Sequence, residues 1–417
     1  MFLRLATQSL WHRKSSVIVA FLAITISVFI LLAVEHIRHQ VKQNFNSTIS
    51  GVDLIVGART GDINLLLYSV FRIGDATQNI DWQSYQNISQ QKSVAWSVPI
   101  SLGDSHKGYR VVGTTKDYFT YFKYGQRQAL EFAQGRAFDG VFDVVIGADI
   151  ARQLGYKIGS KIILAHGTAQ NSFSLHDDTP FTVVGILAAT GTPVARSLHI
   201  SLGAMEAIHM NWKNGIRLPG KTVSLDELTE QDLQPKTITA FMLGLKNKIT
   251  TFHLQREINN YQPEALSAII PGVTLSRLWQ MLSSVEMALS LISLMVLVAA
   301  LLGLAAMLLS SIRERLREIA VLRALGMGPW RILLLIELEA VLITSASVVS
   351  AFVMLMVIIN GWGDALLANY GIAVSGNLFT LSNLYLCLGV FGSGVLISLI
   401  PAITAYTRAL HSRLAES

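Results

Sequence analysis

Cysteine and charge are both scarce in this sequence of 417 residues. The single cysteine, Cys387, lies in an apolar run, so an intramolecular disulfide is excluded and ligation of a metal by thiolates has no support. Charged residues make up 14% of the chain, compared with about 25% in typical soluble domains, whereas hydrophobic residues make up 51%. These proportions favour an integral membrane protein.

Catalytic patterns are also missing, since the sequence offers no convincing Ser-His-Asp or Cys-His arrangement. The segment Gly-Ile-Arg-Leu-Pro-Gly-Lys-Thr at 215–222 fits the Walker A pattern letter for letter. A phosphate-binding loop follows a buried strand and opens a helix, but 209–214 does not read as such a strand and 222–226 does not begin a core helix. We interpret the match as accidental, and we expect no catalytic residue and no cofactor on this chain.

Metal-ligand patterns are weak as well. A group of histidines and aspartates in the middle of the chain has spacings that match no compact ligand motif, and we expect these side chains to be solvated at the surface. The group consists of His166, His176, Asp177, Asp178, His199 and His209. The sequence therefore predicts no metal site.

Long apolar runs, by contrast, are abundant. Residues 17–34, 287–310, 332–359 and 384–403 each have the length and apolar character of a helix that crosses a bilayer. The first run is longer than the roughly 7–15 residues of a signal-peptide core, and no small-x-small cleavage site follows it. We interpret it as an uncleaved span, which makes four spans in all.

Basic residues orient these spans. The segment 311–331 carries five arginines and the tail 404–417 carries two, whereas 360–383 contains no lysine or arginine. We therefore predict that both termini and 311–331 are cytoplasmic, that 360–383 lies outside, and that 1–16 is a cytoplasmic amphipathic helix. The net charge of +6 reflects this orientation, so it does not indicate nucleic-acid binding.

Residues 35–286 contain no span-length apolar run and predict an α+β domain on the outer side. The apolar stretches 53–59 and 65–71 suit a lipid or lipoprotein if exposed, and a domain core if buried. The aromatic run 118–124 likewise suits either a partner surface or a core. Strands are predicted at 93–100, 109–112, 143–146, 161–164 and 181–187, and helices at 148–154, 203–210 and 250–261.

The segment 311–331 predicts an amphipathic helix held between two spans, and hence at the membrane surface. Ile312, Leu316, Ile319 and Leu322 recur at helical spacing and form one apolar stripe. Gly326 is a helix stop.

Two carboxylates, Glu337 and Glu339, follow near the inner end of the third span. Carboxylates within a span are functional candidates, although the nearby interface favours a simple structural role over a proton relay.

Two segments resemble a known family. Arg-Glu-Ile-Ala-Val-Leu-Arg-Ala-Leu-Gly at 317–326 resembles the cytoplasmic coupling segment of the FtsX/MacB/LolC-type ABC permeases. Residues 145–162 resemble the strand–helix–strand signature of the MacB-type periplasmic domain, in which Gly155 is expected to end the helix and Gly159 to allow the next turn.

The resemblance implies a fold of four transmembrane helices with a large α+β periplasmic domain between spans 1 and 2, in the bacterial inner membrane. It implies the permease half of a mechanotransmission ABC transporter, with ATP and Mg²⁺ bound by a separate ATPase subunit and a second permease subunit that is identical or homologous. The residues expected to couple to the ATPase are Ile312, Leu316, Glu318, Ile319, Leu322, Arg323 and Gly326.

Two function classes share this arrangement of permease and ATPase subunits. The first exports or extracts an envelope substrate such as a lipoprotein, a lipid or a drug-like molecule. The alternative is a non-transporting sensor or scaffold that relays ATP-driven motion to a periplasmic partner such as a cell-wall hydrolase. The coupling segment is common to both classes and does not separate them.

Overall fold

The computed structural model describes residues 2–167, 179–210, 212–213, 216–217, 233–314, 321, 327–370 and 378–411. The chain divides into two compact units. One is a helical bundle made of Met1–Val41, Ser283–Leu366 and Ala373–Ser417, and the other is an α+β domain made of Lys42–Leu282 with Leu367–Ile372.

The helices are numbered in chain order. They are α1 Phe2–His12, α2 Lys14–Ser47, α3 Asp62–Leu66, α4 Trp82–Ser89, α5 Asp117–Tyr121, α6 Ala148–Leu154, α7 Leu202–His209, α8 Thr251–Asn259, α9 Pro271–Glu314, α10 Pro329–Tyr370 and α11 Leu381–His411. A π-helical turn, Leu67–Phe71, follows α3, and the 3-10 turns among the described residues cover Pro193–Arg196 and Lys248–Thr250.

Four helices in the described part of the chain are long and apolar enough to cross a membrane. These segments are Lys14–Phe45, Pro271–Ser310, Pro329–Gly363 and Leu381–Thr407. The predicted fold class is thereby confirmed, although the helices extend beyond the predicted apolar runs. The reason is that helical hydrogen bonding continues into the polar residues that flank each run.

Apolar packing joins the long helices within the bundle. Ile24 and Val28 of α2 are buried in one cluster with Leu301 and Leu304 of α9 and with Ile343 of α10. Each helix buries one stripe in this way, and the outward faces stay apolar, as contact with lipid requires.

Eleven strands among the described residues form one mixed sheet. They are β1 Leu54–Ala58, β2 Val94–His106, β3 Tyr109–Thr114, β4 Phe132–Gly135, β5 Asp143–Ile146, β6 Lys161–Ile162, β7 Ala165–His166, β8 Phe181–Leu187, β9 Ser197–Ser201, β10 Ala240–Leu245 and β11 Leu266–Ile269. The order is β11-β1-β10-β2-β3-β9-β5-β8-β4, with β7 paired to β2 and β6 paired to β8. Only the β3–β9 and β5–β8 pairs of this sheet are parallel.

Two-stranded ribbons lie outside this sheet. They pair Ile80–Asp81 with Thr237–Ile238, Lys123–Tyr124 with Gln128–Ala129, and Trp212–Lys213 with Ile216–Arg217.

The local predictions hold best where a short run of β-branched residues or a terminating glycine marks the element. The strands β5 and β8 and the helix α6 have the predicted bounds. Gly155 ends α6 in a left-handed conformation with φ of 69°, and Gly159 has φ of 85°. The strand expected at 93–100 instead continues to His106 as β2, because β3 and β10 pair along its two edges.

The ambiguous apolar and aromatic segments of the domain belong to its core. Leu65, Leu66 and Tyr68 are fully buried, and Tyr118 and Phe122 are buried in the same cluster. The strand β1, which covers most of 53–59, is also buried along its whole length. The core interpretation of 53–59 and 65–71 is therefore correct, and the lipid-surface interpretation is wrong for them. The aromatic run 118–124 contributes Tyr118, Phe119 and Phe122 to the core.

Candidate functional site

The candidate site is the end of the bundle where α9 ends at Glu314 and α10 begins at Pro329, called the coupling end here. Ile312 is 3% exposed and Ile332 is 2% exposed. Both belong to one buried cluster, the coupling-end cluster, that consists of Ile312, Ile332, Ile336, Ala402 and Ala405. The alanines are small enough for α11 to approach the other two helices closely. Both ends of the segment between α9 and α10 are therefore fixed to the same apolar cluster.

A buried polar network lies beside this cluster. Glu339 of α10 is 1% exposed, and it accepts a hydrogen bond from Ser9 Oγ of α1 at 2.5 Å and from Arg13 Nη2 at 3.0 Å. The same Arg13 nitrogen also donates to Ser9 Oγ at 2.9 Å. The guanidinium and the hydroxyl offset the desolvation of a buried carboxylate. The network thereby ties the N-terminal helix to α10.

Glu337, the other candidate carboxylate, contacts a different helix. Its Oε2 accepts a hydrogen bond from Ser398 Oγ of α11 at 2.8 Å. The two glutamates of α10 therefore bind two different neighbours in the bundle. These contacts fit a structural role for both carboxylates.

The structure describes only one of the predicted ATPase-coupling residues. Ile312 is buried within the bundle, so its side chain offers little surface to another protein, and it anchors the segment. Leu316, Glu318, Ile319, Leu322, Arg323 and Gly326 lie outside the described residues. Their assignment stays a prediction.

Two residues of the Walker-like segment are described. Ile216 and Arg217 form a short strand that pairs antiparallel with Trp212–Lys213. A strand at this position differs from the phosphate-binding loop of a P-loop protein, which supports the interpretation of an accidental match. The rest of the segment 215–222 lies outside the described residues.

The predicted histidine group separates in the structure. His199 is fully buried, and burial together with the nearby Arg72 lowers its pKa to about 3. It is therefore a neutral core residue, and its predicted place at the solvated surface is wrong. His176, Asp177 and Asp178 lie outside the described residues.

His166 and His209 come together around Asp104, a residue that the sequence patterns did not single out. His166 Nδ1 lies 3.2 Å from Asp104 Oδ1, and His209 Nε2 lies 3.4 Å from the same oxygen. Burial lowers the pKa of His209, but Asp104, the backbone oxygen of Met205 and the charge of Glu206 together outweigh burial and leave that pKa raised. Strand β7 pairs with β2 so that His166 lies directly opposite Asp104. No local spacing signals this cluster, because the pairing of strands creates it.

Comparison with known proteins identifies both parts of the chain. The MacB-like periplasmic core domain matches residues 17–261, and the FtsX-like permease C-terminal domain matches residues 290–410. No curated protein matches the chain.

Solved structures provide weaker similarities. The periplasmic region of MacB from Actinobacillus actinomycetemcomitans is 10% identical, with a TM-score of 0.35 over 55% of this chain and 94% of that chain. The extracellular domain of the noncanonic ABC-type transporter YknZ from Gram-positive bacteria is 11% identical, with a TM-score of 0.31 over 52% of this chain and 98% of that chain.

The two family matches follow each other along the chain in the same order as its structural parts. The first covers the first membrane-crossing helix and most of the α+β domain, and the second begins within α9 and continues through α11. A chain with these two domains and four membrane-crossing helices has the domain order of a membrane permease. It belongs to the MacB/FtsX class of ABC-transporter permeases.

Proposed function

We propose that this permease couples ATP hydrolysis on a separate ATPase subunit to motion of its α+β domain, and that it thereby exports or extracts a substrate of the bacterial envelope. The observation that supports the proposal is the coupling-end cluster. Ile312 of α9 and Ile332 of α10 flank the predicted coupling segment and are buried together with Ala402 of α11. A partner that displaces the segment therefore acts on three helices at once.

Helices α2 and α9 join the bundle to the residues 42–282 of the α+β domain along the chain. Helix α9 has 44 residues and continues without a break from Pro271, just after β11, to Glu314 at the coupling end. At about 1.5 Å per residue it is about 66 Å long. Helix α2 likewise leads from the N-terminal network, which consists of Ser9, Arg13 and Glu339, to the residues before β1. In our proposal, motion at the coupling end reaches the domain through these helices.

The orientation that we propose places both termini and 311–331 in the cytoplasm, and the α+β domain in the periplasm. The arginines of 311–331 and of the tail support this orientation. We further propose that the chain resides in the inner membrane and pairs with a second permease subunit. ATP and Mg²⁺ bind to the ATPase subunit. The substrate is a lipoprotein, a lipid or a drug-like molecule, delivered to or received from a periplasmic or lipoprotein partner.

We assign the ATPase contact to the apolar stripe of the coupling segment. Leu316, Ile319 and Leu322 fill a groove of the ATPase, while Glu318 and Arg323 set the orientation and Gly326 ends the helix. The neighbouring Val321, which is 60% exposed, lies outside this stripe and provides a matched control.

Copurification with ABC ATPase subunits from the same genome tests the assignment. Leu322→Asp should lose the complex, because a charge in a desolvated apolar contact costs about 2 kcal/mol or more, or about 30-fold in affinity. Val321→Asp should bind as the unmodified protein does. Equal binding by Leu322→Asp would contradict the assignment. If ATP drives motion of the α+β domain but no substrate is released, the protein belongs to the sensor or scaffold class instead.

A further inference from the structure

We propose that Asp104, His166 and His209 form a binding site for a divalent transition-metal cation of the Zn²⁺ class. The site lies in the α+β domain, on β2, β7 and the last residue of α7. This inference is independent of the ATPase coupling proposed above.

The three ligand atoms form a nearly equilateral triangle. His166 Nδ1 lies 3.2 Å from Asp104 Oδ1 and 3.2 Å from His209 Nε2, and the third side, from His209 Nε2 to Asp104 Oδ1, is 3.4 Å. Zinc bonds of about 2.0–2.1 Å in a tetrahedron place neighbouring ligand atoms about 3.3–3.4 Å apart. A cation above the triangle therefore reaches bonding distance to all three atoms with little movement of the side chains.

Contacts within the domain fix the positions of the ligand side chains. His166 and Asp104 are direct cross-strand partners, so the register of β7 on β2 brings their side chains to one face. His209 Nδ1 lies 2.7 Å from the backbone oxygen of Met205. Because that oxygen can only accept, Nδ1 donates, and in the neutral ring the lone pair of Nε2 faces the cluster. A carbonyl that fixes the second ring nitrogen is the usual support of a metal-binding histidine.

The donor set selects the kind of cation. Two imidazole nitrogens and one carboxylate suit Zn²⁺ and neighbouring transition metals, whereas Mg²⁺ and Ca²⁺ prefer oxygen ligands alone. These three side chains supply three of the four positions of a tetrahedral zinc site. The side chains of His166 and His209 are 42% and 29% exposed, whereas Asp104 is fully buried. The cation therefore enters from the histidine side and meets the carboxylate at the floor of the site.

A bound cation would connect the edge of the β2–β7 pair to the end of α7. These elements are joined in the chain only through long intervening segments, so the metal acts as a cross-link within the domain. A cation that binds only the folded domain stabilises it by RT ln(1 + [M]/Kd), so the stabilisation grows with the free metal concentration.

Zinc binding to the full-length protein in detergent tests the proposal. The protein is purified through an affinity tag that lacks histidine, treated with a chelator, and dialysed against buffered Zn²⁺ from nanomolar to micromolar free concentration. Bound metal is counted by mass spectrometry, and Co²⁺ serves as a spectroscopic probe, because four-coordinate Co²⁺ absorbs visible light far more strongly than six-coordinate Co²⁺.

The variants are His166→Gln and His209→Gln, and the control is His253→Gln. His253 is an 86% exposed histidine of the same domain whose ring lies 3.9 Å from Glu257. The unmodified protein and the control should bind one more Zn²⁺ than the two ligand variants. The affinity of the ligand variants should fall by more than the roughly 10- to 100-fold typical for outer-shell partners of a metal site.

Melting temperatures keep the test independent of folding defects. In chelator the two ligand variants should melt below the unmodified protein, because each loses a contact with buried Asp104. The decisive readout is the shift on adding Zn²⁺, which should raise the melting temperature only of the unmodified protein and His253→Gln. Equal Zn²⁺ stoichiometry and affinity in the unmodified protein and both ligand variants would overturn the proposal. So would the absence of Zn²⁺ and Co²⁺ binding by the unmodified protein at micromolar free metal.

Discussion

Removal of Arg13 from the N-terminal network should destabilise the helical bundle strongly. Glu339 is 1% exposed, and Arg13 is its cationic partner at 3.0 Å. Loss of one partner from a buried ion pair costs about 3–5 kcal/mol, whereas an exposed pair contributes about 0–1 kcal/mol. Because Ser9 still donates to the carboxylate, we expect the lower value, about 3 kcal/mol, for Arg13→Met.

A double-mutant cycle separates this interaction from general damage. The free energy of unfolding is measured by circular dichroism in mixed micelles of increasing SDS content, for Arg13→Met, Glu339→Gln and the double variant. Glutamine can still accept the hydrogen bond of Ser9 without a charge, so the double variant should regain about 2 kcal/mol relative to the sum of the single changes. Additive effects within about 0.5 kcal/mol would refute the reasoning. Arg38→Met, which removes partly exposed pairs with Glu35 and Glu286, is the matched control and should change stability by less than about 1 kcal/mol.

Two further predictions concern the α+β domain. The pKa of buried His199 is about 3, whereas a histidine in an unfolded chain has a pKa of about 6.5. As the pH falls, the unfolded chain therefore takes up the proton first. The free energy of unfolding should decrease between about pH 6.5 and pH 3, by up to about 1.4 kcal/mol per pH unit. His199→Phe should remove this part of the slope in urea titrations at several pH values, and an unchanged slope would exclude His199 as its source. Gly135 has φ of 75°, and an added Cβ would lie 2.0 Å from the backbone oxygen of Val184. Gly135→Ala should therefore lower the free energy of unfolding by about 2–4 kcal/mol. Gly103→Ala, whose Cβ meets no atom within 4 Å, should cost less than about 1 kcal/mol, and equal losses in urea unfolding would contradict the steric argument.

The fold was predictable wherever a local pattern reports the environment of the backbone. The four apolar runs indicate helices because a bilayer leaves backbone groups no other partners. The bounds of β5, β8 and α6 follow from short runs of β-branched residues and from glycines such as Gly155, which allows the left-handed end of α6. The ends of the long helices were not predictable from hydrophobicity, because α2 and α9 continue as helices through polar residues.

The buried polar network and the Asp104 cluster were less predictable from the sequence, because residues that are far apart in the chain come together to form them. Ser9 and Glu339 are 330 positions apart, and neither has a neighbour that signals the other. Asp104 meets His166 only because β7 joins the edge of β2. His199, which belongs to the same histidine-rich region, is instead buried against Tyr118 and Phe119. Residue type alone did not distinguish a core histidine from a candidate ligand.

Partner-dependent ATP hydrolysis tests the central claim most directly. The chain is reconstituted in nanodiscs and its ATPase activity is measured alone, with candidate ABC ATPase subunits from the same genome, and with the Leu322→Asp variant in place of the unmodified chain. The account predicts no activity from the chain alone, stimulated hydrolysis with one ATPase partner, and loss of that stimulation in Leu322→Asp. Hydrolysis by the chain alone, or full stimulation by Leu322→Asp, would contradict the account.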